Sequence, residues 1–188
     1  MNVAARPANA GDVAAMTDVL EALQTELAPL RGGAVLLAHQ GRPTPIGPGL
    51  AAFVATTAET MAETTQPCGA AAIVGTIDDV VVGYATVTIE TLLDGSKLGV
   101  IGELGVLLEA RGVGVGEAIL DDVVAFCREA DCRGIDCYAL PGTRETKNFF
   151  ETFGFTARLL VVHSDLRPAP ERTRDEPPSD LAEPAAEA

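Results

Sequence analysis

Positive charge is scarce in this chain: 13 lysines and arginines stand against 27 aspartates and glutamates, a formal net charge of −14 at pH 7. Sequence-independent binding to DNA or RNA needs a basic surface to neutralise phosphates, so no nucleic acid partner is expected. An acidic surface instead raises the local concentration of a cationic reactant such as a primary amine. Long apolar runs are missing as well. No window approaches the roughly 20 apolar residues that cross a bilayer, and Met1 to Pro7 carries no apolar run behind its lone Arg6. The expectation is a cytoplasmic protein with no membrane partner. Cysteine is sparse, with four residues (Cys68, Cys127, Cys132, Cys137) and no C-x-x-C pair, while His39 and His163 lie far from them in sequence. No metal site is expected, and the thiols read as reduced core residues.

What is present suits one domain with a sizeable core, since chains of about 100–200 residues bury most of their unfolded surface. Val3 to Arg6 reads as a short strand. Val13, Met16, Leu20, Leu23 and Leu27 then recur at helical spacing within Ala8 to Leu27, behind the capping candidates Asn9 and Asp12. Glycines and prolines surround one short apolar run, Ala34 to Ala38, before a second helix from Gly49 to about Thr64, whose buried side is marked by Leu50, Phe53, Val54 and Met61. Ala70 to Ile77 and Val80 to Glu90 flank Asp78-Asp79 as a hairpin, and Asp94-Gly95 turns the chain into a third antiparallel strand, Leu98 to Leu108. A helix burying Ile119, Val123, Phe126, Cys127 and Ala130 leads to a strand from Gly134 to Leu140, and such a helical crossover makes the pair parallel. A short helix from Thr143 to Phe153, stopped at Gly154, and a last strand from Phe155 to His163 complete the series. Residues 167–188 hold five prolines, six acids and no aromatic side chain, which predicts a disordered tail behind a domain of residues 1–166.

Between the third strand and its helix lies Arg111-Gly112-Val113-Gly114-Val115-Gly116. Three alternate glycines let backbone approach an anion closely, and the amides of the following helix N-terminus point at it. A Walker A loop would need Gly-Lys-Ser/Thr, but Gly116 is followed by Glu117 and Ala118. A Rossmann fingerprint needs G-x-G-x-x-G early in a strand-helix-strand unit, and this is G-x-G-x-G far into the chain. A glycine turn that merely joins strand to helix remains the other reading.

The loop resembles motif A, Q/R-x-x-G-x-G/A, of the GNAT N-acetyltransferase superfamily. Two further patterns support the likeness: Arg6-Pro7-Ala8 leading to Gly11-Asp12, and Phe149-Phe150-Glu151-Thr152-Phe153-Gly154-Phe155, similar to the family's F-Y-E-x-x-G-F. The resemblance covers roughly residues 3 to 165. It implies an α/β (α+β) fold with a mixed, mostly antiparallel central sheet, about four flanking helices, and parallel strands that splay beside the cofactor loop. Gly102 and Gly105 inside an otherwise apolar strand fit a bulge there.

By the same resemblance the co-substrate is acetyl-CoA. The amides of Val113, Gly114, Val115 and Gly116 would hold its pyrophosphate, Arg111 and Gly112 would shape the entry, and Val106, Leu107 and Leu108 would pair with the pantetheine as an added strand does. Thr143 stands where the family has a cofactor-contacting asparagine, and Asn148 in the same helix is the substitute. Arg144 and Lys147 either reach the adenosine phosphates or are solvated. Glu117 just past the loop opposes an anion unless it faces solvent.

The implied reaction is direct attack of an amine on the thioester. An amine with a pKa near ~10 must first lose a proton, and Glu103 is the candidate base. Alternation along the strand places it with Ile101 and Leu107 on one face, opposite Leu104 and Val106. The competing reading is that Glu103 pairs with a nearby cation. Phe150 occupies the position of the family tyrosine that protonates the leaving thiolate, and Tyr138 could take that role or simply pack. Cys137 has no histidine nearby in the pattern and reads as core. The expected acceptor is a small-molecule amine or a protein amine. The alternative on the same scaffold is a non-catalytic acyl-CoA-binding sensor or assembly module. Homodimers are frequent in the family, and the sequence leaves that state open.

Overall fold

A computed structural model describes residues 1–42, 45–63 and 69–166. The expected tail at 167–188, Cys68 and the side chain of Met61 lie outside the described residues. The chain divides into a main unit, Met1–Phe149, and a short one from Phe150 onward.

In the main unit, five strands form one sheet in sequence order: β1 (Val3–Pro7), β2 (Ala70–Ile77), β3 (Val80–Thr91), β4 (Lys97–Val106) and β5 (Cys132–Cys137). β1 to β4 pair antiparallel, and β4 and β5 pair parallel. The β2–β3 hairpin closes on Asp78 and Asp79, both in the left-handed region at φ 47° and 68°, as a two-residue turn matched to strand twist requires.

One face of the sheet carries α1 (Val13–Leu27) and α3 (Ile46–Glu63). Met16, Val19, Leu20, Ile46, Leu50 and Val54 pack there against Ala72, Val74 and Tyr84. The chain enters α1 through a capping box: Asn9 Oδ1 accepts from Gly11 N–H, and the Asp12 carboxylate accepts from Asn9 N–H at 2.8 Å. Asp12 also receives both terminal nitrogens of Arg6, at 2.7 and 2.8 Å, and this pairing holds its carboxyl below the usual range. The opposite face carries α4 (Val115–Glu129), which touches all five strands. Its buried Val115, Ile119, Leu120, Val123, Phe126 and Cys127 each contribute about 1.5–3 kcal/mol of apolar burial, enough to fix where its N-terminus sits. Gly75 of β2 permits that closeness: a Cβ there would lie 2.6 Å from Ile119 Cδ1 and 2.7 Å from Val115 Cγ1.

β5 starts and ends earlier than the expected Gly134 to Leu140, at Cys132 and Cys137, and two elements differ in kind from expectation. The glycine-rich stretch after α1 holds a further helix, α2 (Gly33–Gln40), which makes five helices among the described residues. Gly32 at φ 82° is its N-cap and Gly41 follows its end, so the glycines bound a helix where they had suggested a loop. The expected strand Phe155 to His163 is absent: residues 155–166 carry no regular structure, and Leu159, Leu160, Val161 and Val162 are exposed. High β propensity describes fit to a paired, half-buried surface, and this run joins no ladder. Within the short unit Phe150 packs on Phe155 with ring centroids 5.3 Å apart, and Gly154 at φ 79° follows the end of α5 (Arg144–Thr152). No helix among the described residues is long and apolar enough to cross a membrane.

Candidate active site

β4 organises the site because it changes partners along its length. Lys97 to Ile101 pair with β5, the last match being Ile101 with Cys137, while β3 stays paired as far as Val106. From Gly102 to Val106 one edge of β4 therefore has no partner strand, because β5 ends at Cys137. The register against β3 slips at the same point, Ile101 facing Val87 and Glu103 facing Thr86, so Gly102 is the bulged residue.

The bulge corrects the expected facing of Glu103. A Cβ on Gly99 would meet Cys127 of α4 at 2.5 Å, which puts Gly99, and by alternation Ile101, on the α4 face. A Cβ on Gly105 would meet Leu23 of α1 at 3.2 Å. Glu103 shares that α1 side with Gly105 and Leu107, and lies opposite Ile101. One extra residue moved the carboxylate through the sheet.

Glu103 is nearly buried there and fully engaged. Arg42 Nε lies 2.6 Å from Glu103 Oε1, and an Arg42 terminal nitrogen donates to Oε2 at 3.1 Å. The Thr86 hydroxyl donates to Oε2, and Glu103 N–H donates to Thr86 Oγ1 at 3.1 Å. The reading in which Glu103 pairs with a cation is thus realised in this state. Arg42 also sits over the Phe53 ring, 4.9 Å from its centroid, and reaches the Gly49 carbonyl at 3.4 Å. Tyr84, on the same face of β3 as Thr86, is wholly buried, and its hydroxyl makes no hydrogen bond among the described residues. Burial and the Glu103 charge push that phenol far above its usual range. The sequence placed Phe53 only on the buried side of its helix and did not signal Arg42, Thr86 or Tyr84. Strand alternation could have placed Thr86 and Tyr84 on one face, but nothing local ties Arg42 to a residue 61 positions away.

At the end of β4 the cradle residues take separate roles. Leu107 N–H donates to Val82 O at 2.9 Å, Leu107 packs against the apolar cluster, and exposed Leu108 opens a single turn, Leu108–Ala110, so the strand stops at Val106 and not at Leu108. Arg111 folds back, its Nε donating to Val106 O at 2.9 Å and its terminal nitrogens pairing with both Glu26 oxygens at 3.0 and 2.6 Å. That pairing holds the Glu26 carboxyl below its usual range. Gly112 (φ 75°) and Gly114 (φ 99°) occupy the left-handed region with open space where a Cβ would sit. Gly114 caps α4 without a side chain, and the first amides of a helix have no intrahelical acceptor, so those of Val115 and Gly116 point outward. Val113 is exposed, the Val115 side chain is buried, and exposed Glu117 projects into solvent. Gly116 differs from the other two: its Cβ would lie 3.2 Å from Phe149, so smallness there serves packing.

Tyr138, one residue beyond β5, is half exposed at the start of the split, and Asn148 is exposed on α5. Thr143 Oγ1 donates to Leu140 O at 2.7 Å. Burial pushes the Cys137 thiol up to about 11 and the Cys127 thiol up to about 12, which keeps both neutral and unsuited to nucleophilic work. No cluster of metal-binding side chains occurs among the described residues.

Comparison with known proteins agrees with this arrangement. Residues 48–155 match the model of the acetyltransferase (GNAT) family. An acetyltransferase from Trypanosoma brucei superposes with a TM-score of 0.56 at 21% identity, covering 88% of this chain and 100% of its own. The glucosamine-6-phosphate N-acetyltransferase of Arabidopsis thaliana gives 0.57 at 13% identity, with 88% and 99% covered. An aminoglycoside acetyltransferase from an uncultured soil metagenomic sample gives 0.58 at 15%, with 88% and 98% covered. At these identities the likeness is one of fold. No curated protein matches the chain.

Proposed function

The chain belongs to the acetyltransferase (GNAT) family, and from that premise we propose that it moves an acetyl group from acetyl-CoA to a primary amine. One observation carries the reading: the unpaired edge of β4 from Gly102 to Val106 leads, through the turn Leu108–Ala110, into the Gly112–Gly114 loop and the N-terminus of α4, which has no side-chain cap. A strand edge offers main-chain groups to an amide-bearing arm, and outward amides with no Cβ in the way suit a pyrophosphate. The residues present therefore fit acetyl-CoA as co-substrate, with Val106 and the amides of Val113, Gly114, Val115 and Gly116 as its holders. Arg111 would have to release Val106 O for the pantetheine to use that carbonyl.

In this reading Glu103 receives a proton from the acceptor ammonium, and the amine nitrogen attacks the thioester carbon. The C–N bond forms and the C–S bond breaks; the attacking nitrogen gives up its second proton, which reaches the departing CoA sulfur directly or by relay, so the products are a neutral amide, CoA thiol and protonated Glu103. A main-chain N–H near Val106 supplies the donor for the developing oxyanion. Tyr138, half exposed one residue beyond β5, is the proton donor for the thiolate in this reading, since Phe150 has no acidic proton. A thiol of pKa ~8.5 makes a tolerable leaving group, so the lack of a tyrosine at 150 slows transfer by ~10²-fold without abolishing it.

The test is a calorimetric titration of the full chain with acetyl-CoA and CoA, followed by an amine panel read by thiol release. Micromolar binding with amine-dependent thiol release supports the reading. Absence of binding at millimolar acetyl-CoA overturns it. Binding without release from any amine supports the sensor or assembly module, a reading that Phe150 and the occupied Glu103 carboxylate favour.

A further inference from the structure

We propose that the Arg42 guanidinium occupies the acceptor subsite, so that a cationic acceptor enters by displacing Arg42 from Glu103.

The surroundings of Arg42 are those of a cation-binding site. Glu103 gives both carboxylate oxygens, Gly49 gives a carbonyl, and the Phe53 ring lies 4.9 Å from the guanidinium carbon. A carboxylate, a carbonyl and an aromatic face are the groups that recognise ammonium and guanidinium ions. Arg42 fits them incompletely: Nε lies 2.6 Å from Oε1, but among the described residues its N–H is not aligned on any acceptor. The Tyr84 hydroxyl, buried on the same sheet face, close enough to feel the charges of Glu103 and Arg42 and without a hydrogen bond among the described residues, is a further oxygen that Arg42 leaves unused. A well-fitted structural ion pair would align its donors and leave no neighbouring buried hydroxyl without a partner, because an unsatisfied buried polar atom is costly.

Position makes the same point. Glu103 stands at the bulge where β4 leaves β5, three residues before the end of the open edge, or about 10 Å along the strand from Val106. A cation seated on Glu103 is at the upstream end of the edge that leads to the cradle. The chain's formal charge of −14 draws cations toward it, whereas an anionic acceptor would meet Glu103 and repulsion from the whole surface. The class of acceptor is therefore an alkyl ammonium compound, for which a guanidinium ion serves as a non-reacting mimic of the cationic head. The cation site stands on the Arg42 contacts alone; its identity as the acceptor's site rests on the acyl-transfer reading.

The experiment uses the full chain as wild type, Arg42→Ala, Arg42→Gln and the double variant Arg42→Ala/Glu103→Gln, with folding verified by circular dichroism. Methylguanidinium chloride is the probe, titrated at millimolar concentration against sodium chloride of equal ionic strength and followed by melting temperature and calorimetry. Saturable binding to the Arg42 variants, absent from wild type and from the double variant, is expected. The glutamine variant, which keeps a polar side chain beside Glu103, secures the comparison should the alanine variant not fold. A folded Arg42 variant that binds no methylguanidinium overturns the proposal, as does equal binding by wild type. Acetyl-CoA-dependent turnover is scored separately: the KM of a cationic amine should fall at least tenfold in the Arg42 variants with acetyl-CoA affinity unchanged. Guanidinium binding without turnover removes the acyl-transfer reading and leaves the cation site standing, while turnover without guanidinium binding does the reverse.

Discussion

Gly114→Ala separates the backbone requirement of the cradle from its ligand requirement. The added methyl meets nothing within 4 Å, so the whole penalty lies in holding an L-residue at φ 99°. Left-handed backbone costs a residue with a Cβ roughly 1–2 kcal/mol, and reduced freedom of the unfolded chain returns about 0.4–1 kcal/mol. The net loss is about 1 kcal/mol, or a fall in melting temperature of about 2–4 °C for a chain of this size. The effect on acetyl-CoA should be larger. If the loop relieves the strain by turning residue 114 toward negative φ, at least one outward amide leaves the pyrophosphate, and a hydrogen bond to a charged group is worth about 1.5–3 kcal/mol, which is about 10- to 150-fold in Kd. Gly95→Ala supplies the control, since Gly95 has φ 81° and open space but lies in the β3–β4 turn. Melting curves and calorimetry on both variants are the assay. Equal melting losses with weakened acetyl-CoA binding only in Gly114→Ala is the expected pattern. Unchanged affinity in Gly114→Ala would refute the use of these amides, and an unchanged melting temperature in both variants would refute the assigned backbone.

Glu103→Gln should slow acetyl transfer by about 10²-fold or more with little change in acetyl-CoA Kd, read by single-turnover kinetics beside calorimetry; an unimpaired rate removes Glu103 as base. Gly75→Ala should destabilise by about 1–3 kcal/mol through overpacking against Val115 and Ile119, with a smaller loss of acetyl-CoA affinity because the first turns of α4 must shift; denaturant midpoints check the first and titration the second. Asp12→Asn should cost about 1–2 kcal/mol at neutral pH, towards the lower end for charged hydrogen bonds because Arg6 is partly exposed. The folded carboxyl of Asp12 is depressed by Arg6, so its contribution is complete above the unfolded pKa near ~3.9 and is lost as pH falls below that value. The stability gap between wild type and Asp12→Asn should therefore close as pH drops from 5 toward 2 in urea titrations, and a gap independent of pH would contradict the pairing.

Local chemistry was enough to read much of the architecture. The Asp78-Asp79 hairpin, the apolar stripe of α4 and the glycine loop each depend on short-range rules of turn geometry, helical period and side-chain size, and they stand where the sequence puts them. The family patterns at Arg111 and Phe149 lie within residues 48–155, which match the family model, while the one at Arg6 lies outside that match. Glycine misled where it bounds α2, because the same residue ends a helix and makes a loop, and at Gly116, whose smallness serves packing against Phe149. The strand expected at 155–163 shows the opposite limit, since propensity cannot supply a partner.

The candidate site was less legible because its groups meet through the sheet. Alternation from Ile101 predicts the wrong face for Glu103, and only the slip of β4 against β3 at Gly102 reveals the change. The Arg42–Glu103 pair joins the stretch before α3 to the middle of β4, and the Arg111–Glu26 pair joins the cradle to α1. Nothing in the spacing of either pair encodes the contact. The sequence by itself determined which segments could cradle an anion, turn or cross over, because those properties are carried by neighbouring residues. Tertiary structure alone decided which charge meets which, because that depends on strand register and helix docking, where one bulged residue reverses the outcome.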